Sequence, residues 1–270
     1  MTYLKEKGTM RTRTIHTVLR ACWIAMIGLA VGGAPLPAAA AGPPGNFGAE
    51  YIACDEYAGV GLVPLANVID RVPDDYLVIE AVAGFAVVVA QSGSCDEIRV
   101  NGASGQPGIF AQFGVAVVPP GVPGNGDFYQ LSFTTDHPKL AAKLSQLGVN
   151  ARYTPRLAYE INNETTLTVD VPAPHKFAFM LSGPITLPDP LAPPNPTSVF
   201  NYYARTKHYG HVLQRNVVQG IRFGEGSGVK LTAIGDEMQE IVGGDILMFP
   251  FFSSPEVFDQ AEVSVIVDAF

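Results

Sequence analysis

The run YLVIEAVAGFAVVVAQ, Tyr76 to Gln91, has a single charged residue, Glu80, and is otherwise dominated by Val, Ile, Phe and Ala. Branching at Cβ stiffens χ1 and suits these residues to an extended chain rather than a helix. Gly84 marks a bend or bulge within it. So continuous an apolar run predicts a strand covered on both faces. Similar segments follow: IFAQFGVAVV, DFYQLSFTTD, TTLTVDV, KFAFMLSGPI, NVVQGIRFG, GVKLTAI, GDILMFPFF and EVSVIVDAF. Gly and Pro separate them, as turns separate strands. Nine or ten such strands predict a mainly β protein, a closed or partly closed antiparallel barrel or sandwich.

Helix is sparse. Asp136 is placed as an N-cap, with Pro138 in the first turn, Leu140, Leu144 and Leu147 on one face, and Gly148 as the stop. Lys139 and Lys143 fall on the opposite, wet face. LANVIDRV, Leu65 to Val72, predicts a second short helix. Between Pro184 and Pro196 six prolines exclude a central strand or helix, so this segment reads as a surface loop, a connector or a lid.

The first 41 residues read as an export signal rather than as part of the fold. Lys5, Lys7, Arg11, Arg13 and Arg20 precede the apolar ACWIAMIGLAV, and GGAPLPAAAAG supplies small residues for cleavage. The apolar run is shorter than the roughly 20 residues of a membrane span. Cys22 lies too early for a lipid-anchored cleavage site, and Met10 offers an alternative start with the same outcome. The expectation is a secreted or periplasmic protein with one β-rich domain over residues 42–270, opening on a flexible lead-in, GPPGNFGAE. No later segment is long and apolar enough to predict a span.

Removing the signal takes five of the 17 basic and one of the 25 acidic residues, leaving 12 against 24 and a net charge of about −12. Such a chain is repelled by phosphate backbones, which argues against a nucleic-acid partner. Only Cys54 and Cys95 remain, an even pair in an oxidising compartment, and a disulfide between them is expected. No histidine close in sequence suggests a catalytic thiol instead.

Several short motifs read as ordinary structure. His208 and His211 in TKHYGH are three apart, but a strand would point them to opposite faces, and no carboxylate or cysteine completes a metal set. His175 and Lys176 open an apolar strand, where edge or loop positions are expected. GASGQPG and GEGSG lack the spacing of a nucleotide-binding loop, so no cofactor is expected. Ser94 in GSCDE lacks the form of a nucleophile elbow. Asn163 in NET is a glycosylation sequon, relevant only in a eukaryotic secretory route.

The order of segments carries a further signal. GIFAQFGVAVV (Gly108 to Val118) is followed by FYQLSFTTDHPKLAAKLSQLG, then YTPRLAYEI, then NYYARTKHYGHVLQRNVVQGIRF. Over residues 70 to 255 this succession resembles the acetoacetate decarboxylase family. The resemblance implies a decarboxylase-like β fold and Schiff-base chemistry on keto acids, which needs a lysine of depressed pKa. The family's turn has two lysines where this chain has Tyr153-Thr154-Pro155-Arg156-Leu157-Ala158. An arginine stays protonated at any working pH and cannot take that role. Gln112 likewise stands where the family's first motif carries a carboxylate.

Two functions follow. The first is a binding protein whose apolar interior holds a small, mostly hydrophobic or carbonyl-bearing molecule without Schiff-base decarboxylase activity. Its expected polar contacts are Arg156, Gln112 and Tyr153, although Arg156 could equally face solvent or pair with Glu160. The second is a lyase or decarboxylase acting on a keto acid through one of Lys139, Lys143, Lys176, Lys207 or Lys230, with Lys176 and Lys230 nearest to apolar strands.

Overall fold

The computed structural model describes residues 45–206, 210–226, 228–249 and 253–267. The expected signal, residues 1–41, lies outside them, as do Lys207 and His208. The strands are β1 (Phe47–Pro64), β2 (Leu77–Val78), β3 (Glu80–Val82), β4 (Phe85–Val100), β5 (Gln106–Val118), β6 (Gly126–Thr135), β7 (Ala151–Tyr153) and β8 (Ala158–Asn162). They continue as β9 (Thr166–Val171), β10 (Phe179–Pro184), β11 (Asn195–Thr206), β12 (Gly210–Phe223), β13 (Lys230–Ala233), β14 (Asp245–Leu247) and β15 (Ser254–Val267). The helices are α1 (Pro138–Gln146) and α2 (Asp236–Val242). No helix among the described residues is long and apolar enough to cross a membrane.

Seven long strands close on themselves in the order β1, β4, β5, β6, β11, β12, β15 and back to β1. Closure leaves no open edge among them. The barrel is mixed rather than purely antiparallel: β6 and β11 run parallel, because the chain between them makes α1 and three strands of the second sheet before returning. That second sheet has the order β14, β13, β10, β9, β8. Its β8–β9 hairpin turns on Asn163 (φ 51°) and Glu164 (φ 58°), two successive left-handed residues of the kind that match hairpin twist.

Two buried clusters result. One joins the outer wall of the barrel (Val88, Ala90, Phe113, Val115) to the second sheet (Leu167, Val169, Phe179, Leu181, Leu231) and to Met238 and Ile241 of α2. The other fills the barrel (Tyr51, Phe110, Phe133, Val218, Ile221, Phe258) and continues into Leu140, Leu144 and Leu147 around α1. Strand β5 is therefore buried on both faces, with Phe110 and Gln112 towards the interior and Ala111 and Phe113 in or beside the outer wall.

The structure departs from the sequence expectations in five places. The lead-in is structured from Phe47 onward: Phe47 and Ala49 are buried and pair with Val265 and Val263, which makes β1 an 18-residue strand. The run from Tyr76 is not covered throughout, since Val82 and Phe85 flank the Gly84 turn (φ 82°) and stay exposed. The N-cap of α1 is His137, whose Nδ1 accepts from the Leu140 amide at 3.1 Å, while Asp136 accepts from the Ile109 amide at 2.6 Å instead. The short helix expected over Leu65 to Val72 is made of two single-turn 3₁₀ helices, Leu65–Asn67 and Ile69–Arg71, rather than one α-helix. Helix α2 has no counterpart in the expected elements.

The disulfide is present between Cys54 of β1 and Cys95 of β4, directly opposite residues with Cα atoms 4.0 Å apart. It closes a loop 41 residues apart in sequence. Chain-entropy reasoning gives such a loop about 4 kcal/mol. A Cys54→Ala/Cys95→Ala variant should lose stability of that order in urea denaturation, and thiol labelling of the unreduced native protein should report no free Cys54 or Cys95.

Candidate ligand site inside the barrel

All seven barrel strands contribute side chains to one interior cavity of about 30 Å³. That volume is of the order of one or two waters. Its apolar wall is Phe110, Phe133, Phe200, Phe258, Val218 and Ile221. The polar lining is Glu56, Gln91, Gln112, Gln214, Asn216 and Glu256, with the phenols of Tyr51 and Tyr202. Phe200 is the one lining residue that is not fully buried, which places it at the mouth. No lysine, arginine or histidine is among the lining residues.

The backbone explains how these side chains converge. Odd spacing on a strand normally sends two side chains to opposite faces. Tyr51 and Glu56 nevertheless share the interior, and Ala53 between them is left-handed at φ 49°. Val218 and Ile221 share it in the same way across Gly220, at φ 71°. A register shift between β5 and β6 at Gly114 leaves Gln130 and Phe133 on one side; a Cβ on Gly114 would lie 2.4 Å from the Tyr129 carbonyl oxygen, so only glycine fits.

The polar residues form one connected chain. Gln214 donates through Nε2 to Gln130 Oε1 at 2.7 Å, Gln130 donates to Gln112 at 2.5 Å, and Gln112 donates to Gln91 at 2.5 Å. Gln91 in turn donates to Glu56 Oε1. Four amides thus point their donors the same way, towards a carboxyl group. Each amide is deeply buried, and the ladder supplies the hydrogen bonds that burial demands.

Glu56 and Glu256 lie directly opposite each other on β1 and β15. Both are more than nine-tenths buried. Burial pushes the Glu56 carboxyl up to about 7, opposed by the hydrogen bond from Gln91. Burial also pushes Glu256 well above the usual range, and the neighbouring Glu56 charge pushes it further; Ser254 Oγ, at 3.3 Å, opposes the shift. Two carboxyl groups this close and this dry favour holding a proton between them. Desolvation likewise raises Tyr51 and Tyr202, so both phenols stay neutral donors.

The residues expected from the sequence divide between two places. Gln112 sits inside the cavity, in the centre of the amide chain. Arg156 and Tyr153 lie outside it, both exposed, Tyr153 at the end of β7 and Arg156 on the turn between β7 and β8. Arg156 donates to the Ala173 carbonyl at 3.1 Å and Arg152 donates to that of Pro174 at 2.8 Å, so the two arginines tie this turn to the segment after β9. Lys139, Lys143, Lys176 and Lys230 also lie outside the cavity lining, and Lys176 and Lys230 pair with Glu237 and Asp245. His211 makes contacts to Asp75 and Tyr76, each at 3.0 Å, away from the cavity. Sequence reading did not single out Glu56, Glu256, Gln91, Gln130 or Gln214. Only Gln130, in FYQLSF, stood out as a lone amide in an apolar stretch, whereas Glu56 and Gln214 have polar neighbours in Asp55 and Arg215.

No protein-family model matches the sequence, and no curated protein is similar to it. Among solved structures, the chain is similar to acetoacetate decarboxylase from Legionella pneumophila, with a TM-score of 0.55, 12% identity, and coverage of 88% of this chain and 93% of that one. An acetoacetate decarboxylase-like enzyme from Sphingomonas wittichii aligns at a TM-score of 0.47 and 12% identity, over 88% of this chain and 97% of that one. The fold is thus acetoacetate decarboxylase-like, as the order of segments implied.

The carboxyl pair makes stability depend on pH. Both groups bind a proton more readily folded than unfolded, so their contribution is full below the ordinary glutamate value of 4.5; that of Glu56 is lost as pH rises through about 7, and that of Glu256 as pH rises through its own raised value. Wild-type stability should fall by on the order of 3 kcal/mol from about pH 5 to about pH 8. Urea denaturation across that range should show the slope flattened in the Glu56→Gln/Glu256→Gln variant.

Proposed function

We propose that this is a secreted protein that binds a small, mostly hydrophobic or carbonyl-bearing molecule in the barrel interior, without Schiff-base decarboxylase activity. The observation that carries the reading is the cavity lining: apolar rings together with hydrogen-bonding amides and carboxyls, and no lysine among the described residues. Small-molecule sites commonly combine an apolar wall with a few placed polar groups. The Cys54–Cys95 disulfide is compatible with an exported protein, and residues 1–41 are the proposed signal.

Of the three expected contacts, Gln112 is the one kept as a ligand contact. A cavity of about 30 Å³ admits a head group of one or two heavy atoms, and anything larger needs Phe200 to swing aside. The structural neighbour from Legionella is an acetoacetate decarboxylase. That activity here would need a lysine near the cavity, and the four described lysines lie outside its lining.

The test is intact-mass spectrometry of mature protein incubated with small keto acids and aldehydes and then treated with borohydride. The expected result is no saturable adduct beyond exposed-lysine background, with ligand-observed NMR showing binding of small ketones that is weakened at least tenfold by Gln112→Leu. A saturable adduct mapped to one lysine would overturn the reading in favour of a keto-acid lyase.

A further inference from the structure

Among the described residues, the two carboxyl groups have no cationic partner. Glu56 and Glu256 face each other across β1 and β15, both are buried, and no lysine, arginine or histidine lines the cavity they enter. Glu56 accepts a hydrogen bond from Gln91 and Glu256 from Ser254, and both donors are neutral. Six aromatic rings line the same small space: Tyr51, Phe110, Phe133, Phe200, Tyr202 and Phe258. Two of these pairs are in ring contact, Tyr51 with Phe110 at 5.3 Å and Phe110 with Phe133 at 6.3 Å between centroids.

An aromatic face attracts a cation through its quadrupole, and rings grouped around a site are how quaternary and methylated ammonium groups are recognised. A buried carboxylate pair attracts the same charge by direct Coulomb interaction, strengthened where water is excluded. The cavity's volume of about 30 Å³ suits a head group of one or two heavy atoms. The net charge of the whole chain, −8, biases the approach of a cation in the same direction.

We infer that the barrel interior is a site for a small protonated amine, an ammonium or methylammonium head group, seated between Glu56 and Glu256 and faced by the aromatic wall. This rests on the reading that the cavity is a ligand site, and it names the polar head of that ligand. The carboxyl pair then serves two states. Without a cation it holds a proton; with one, that proton leaves to solvent and the ammonium supplies the compensating charge. No bond other than this acid O–H changes. The other titratable groups facing the pair are phenols: Tyr51 on β1, Tyr202 on β11, and Tyr159 on β8, which is within electrostatic reach of both glutamates. All three are raised by burial and remain neutral, so the exchange falls on the two carboxyls.

The test is calorimetric and NMR titration of the full mature protein with methylammonium, with methanol as the neutral analogue of similar size, and with acetone. Displacing one proton makes the methylammonium affinity rise by about tenfold per pH unit below the carboxyl titration. Heats measured in two buffers of different ionisation enthalpy should report proton release. Glu256→Gln should weaken the cation at least tenfold and abolish the pH slope, and the wild-type slope keeps the test valid if that variant does not fold. A pH-independent affinity, equal binding of methanol, or equal competition by potassium would overturn the inference. Acetone binding without methylammonium binding would overturn it while leaving the proposed function standing; binding of neither would overturn both.

Discussion

Pairing of β1 with β15 is the contact on which the rest of the molecule depends. It closes the barrel, and it sets Glu56 beside Glu256 in the interior. The same strand β1 pairs on its other edge with β4, where the disulfide joins Cys54 to Cys95 two residues from Glu56. The covalent cross-link therefore holds one side of the strand while hydrogen bonds close the other. Without that closure, both carboxyls would sit on open sheet edges in water and neither would be shifted.

Closure has an electrostatic cost, and the amide ladder is the response to it. A lone buried carboxyl loses several kcal/mol of hydration unless it is neutralised or hydrogen-bonded. The four glutamines reach from β12 through β6, β5 and β4 to Glu56 with every donor pointing the same way. A head-to-tail chain of this kind polarises along its length and delivers its positive end to the acceptor. Glu256 receives only a hydroxyl. The two carboxyls are therefore unequal, and charge is favoured on Glu56 and the proton on Glu256. This inequality is a property of the seven-stranded closure, because the ladder draws its members from strands distant in sequence.

That dependence explains what could be read in advance. Local patterns were legible: the apolar face of α1, the strand character of β5 and β6, and the Cys54–Cys95 pair all follow from residue type and spacing. Strand β1 was obscured because its start is rich in Gly and its polar residues, Asp55 and Glu56, resemble a turn. Only the pairing with Val265 and Val263 shows why Phe47 and Ala49 belong to the sheet. Gln112 was legible as a departure from a motif. Its partners were not, since Gln91, Gln130 and Gln214 look like isolated polar residues until the barrel brings them within hydrogen-bonding distance. Arg156 had the opposite history: its place in a turn resembling a family motif suggested a ligand contact, whereas its guanidinium reaches a backbone carbonyl of the neighbouring segment.

The same comparison bears on how this scaffold can change chemistry. In a Schiff-base enzyme, a nearby cation and desolvation act together to keep an amine neutral. In this barrel the groups raised by desolvation are acids, and the lining contains no cation to oppose them. The interior field is therefore of the opposite sign to the one that depresses a lysine. A lysine placed there would be stabilised in its charged form by Glu56 and Glu256, which makes it a poor nucleophile. Introducing amine chemistry into this barrel would thus require changing the carboxyl pair as well as supplying the amine.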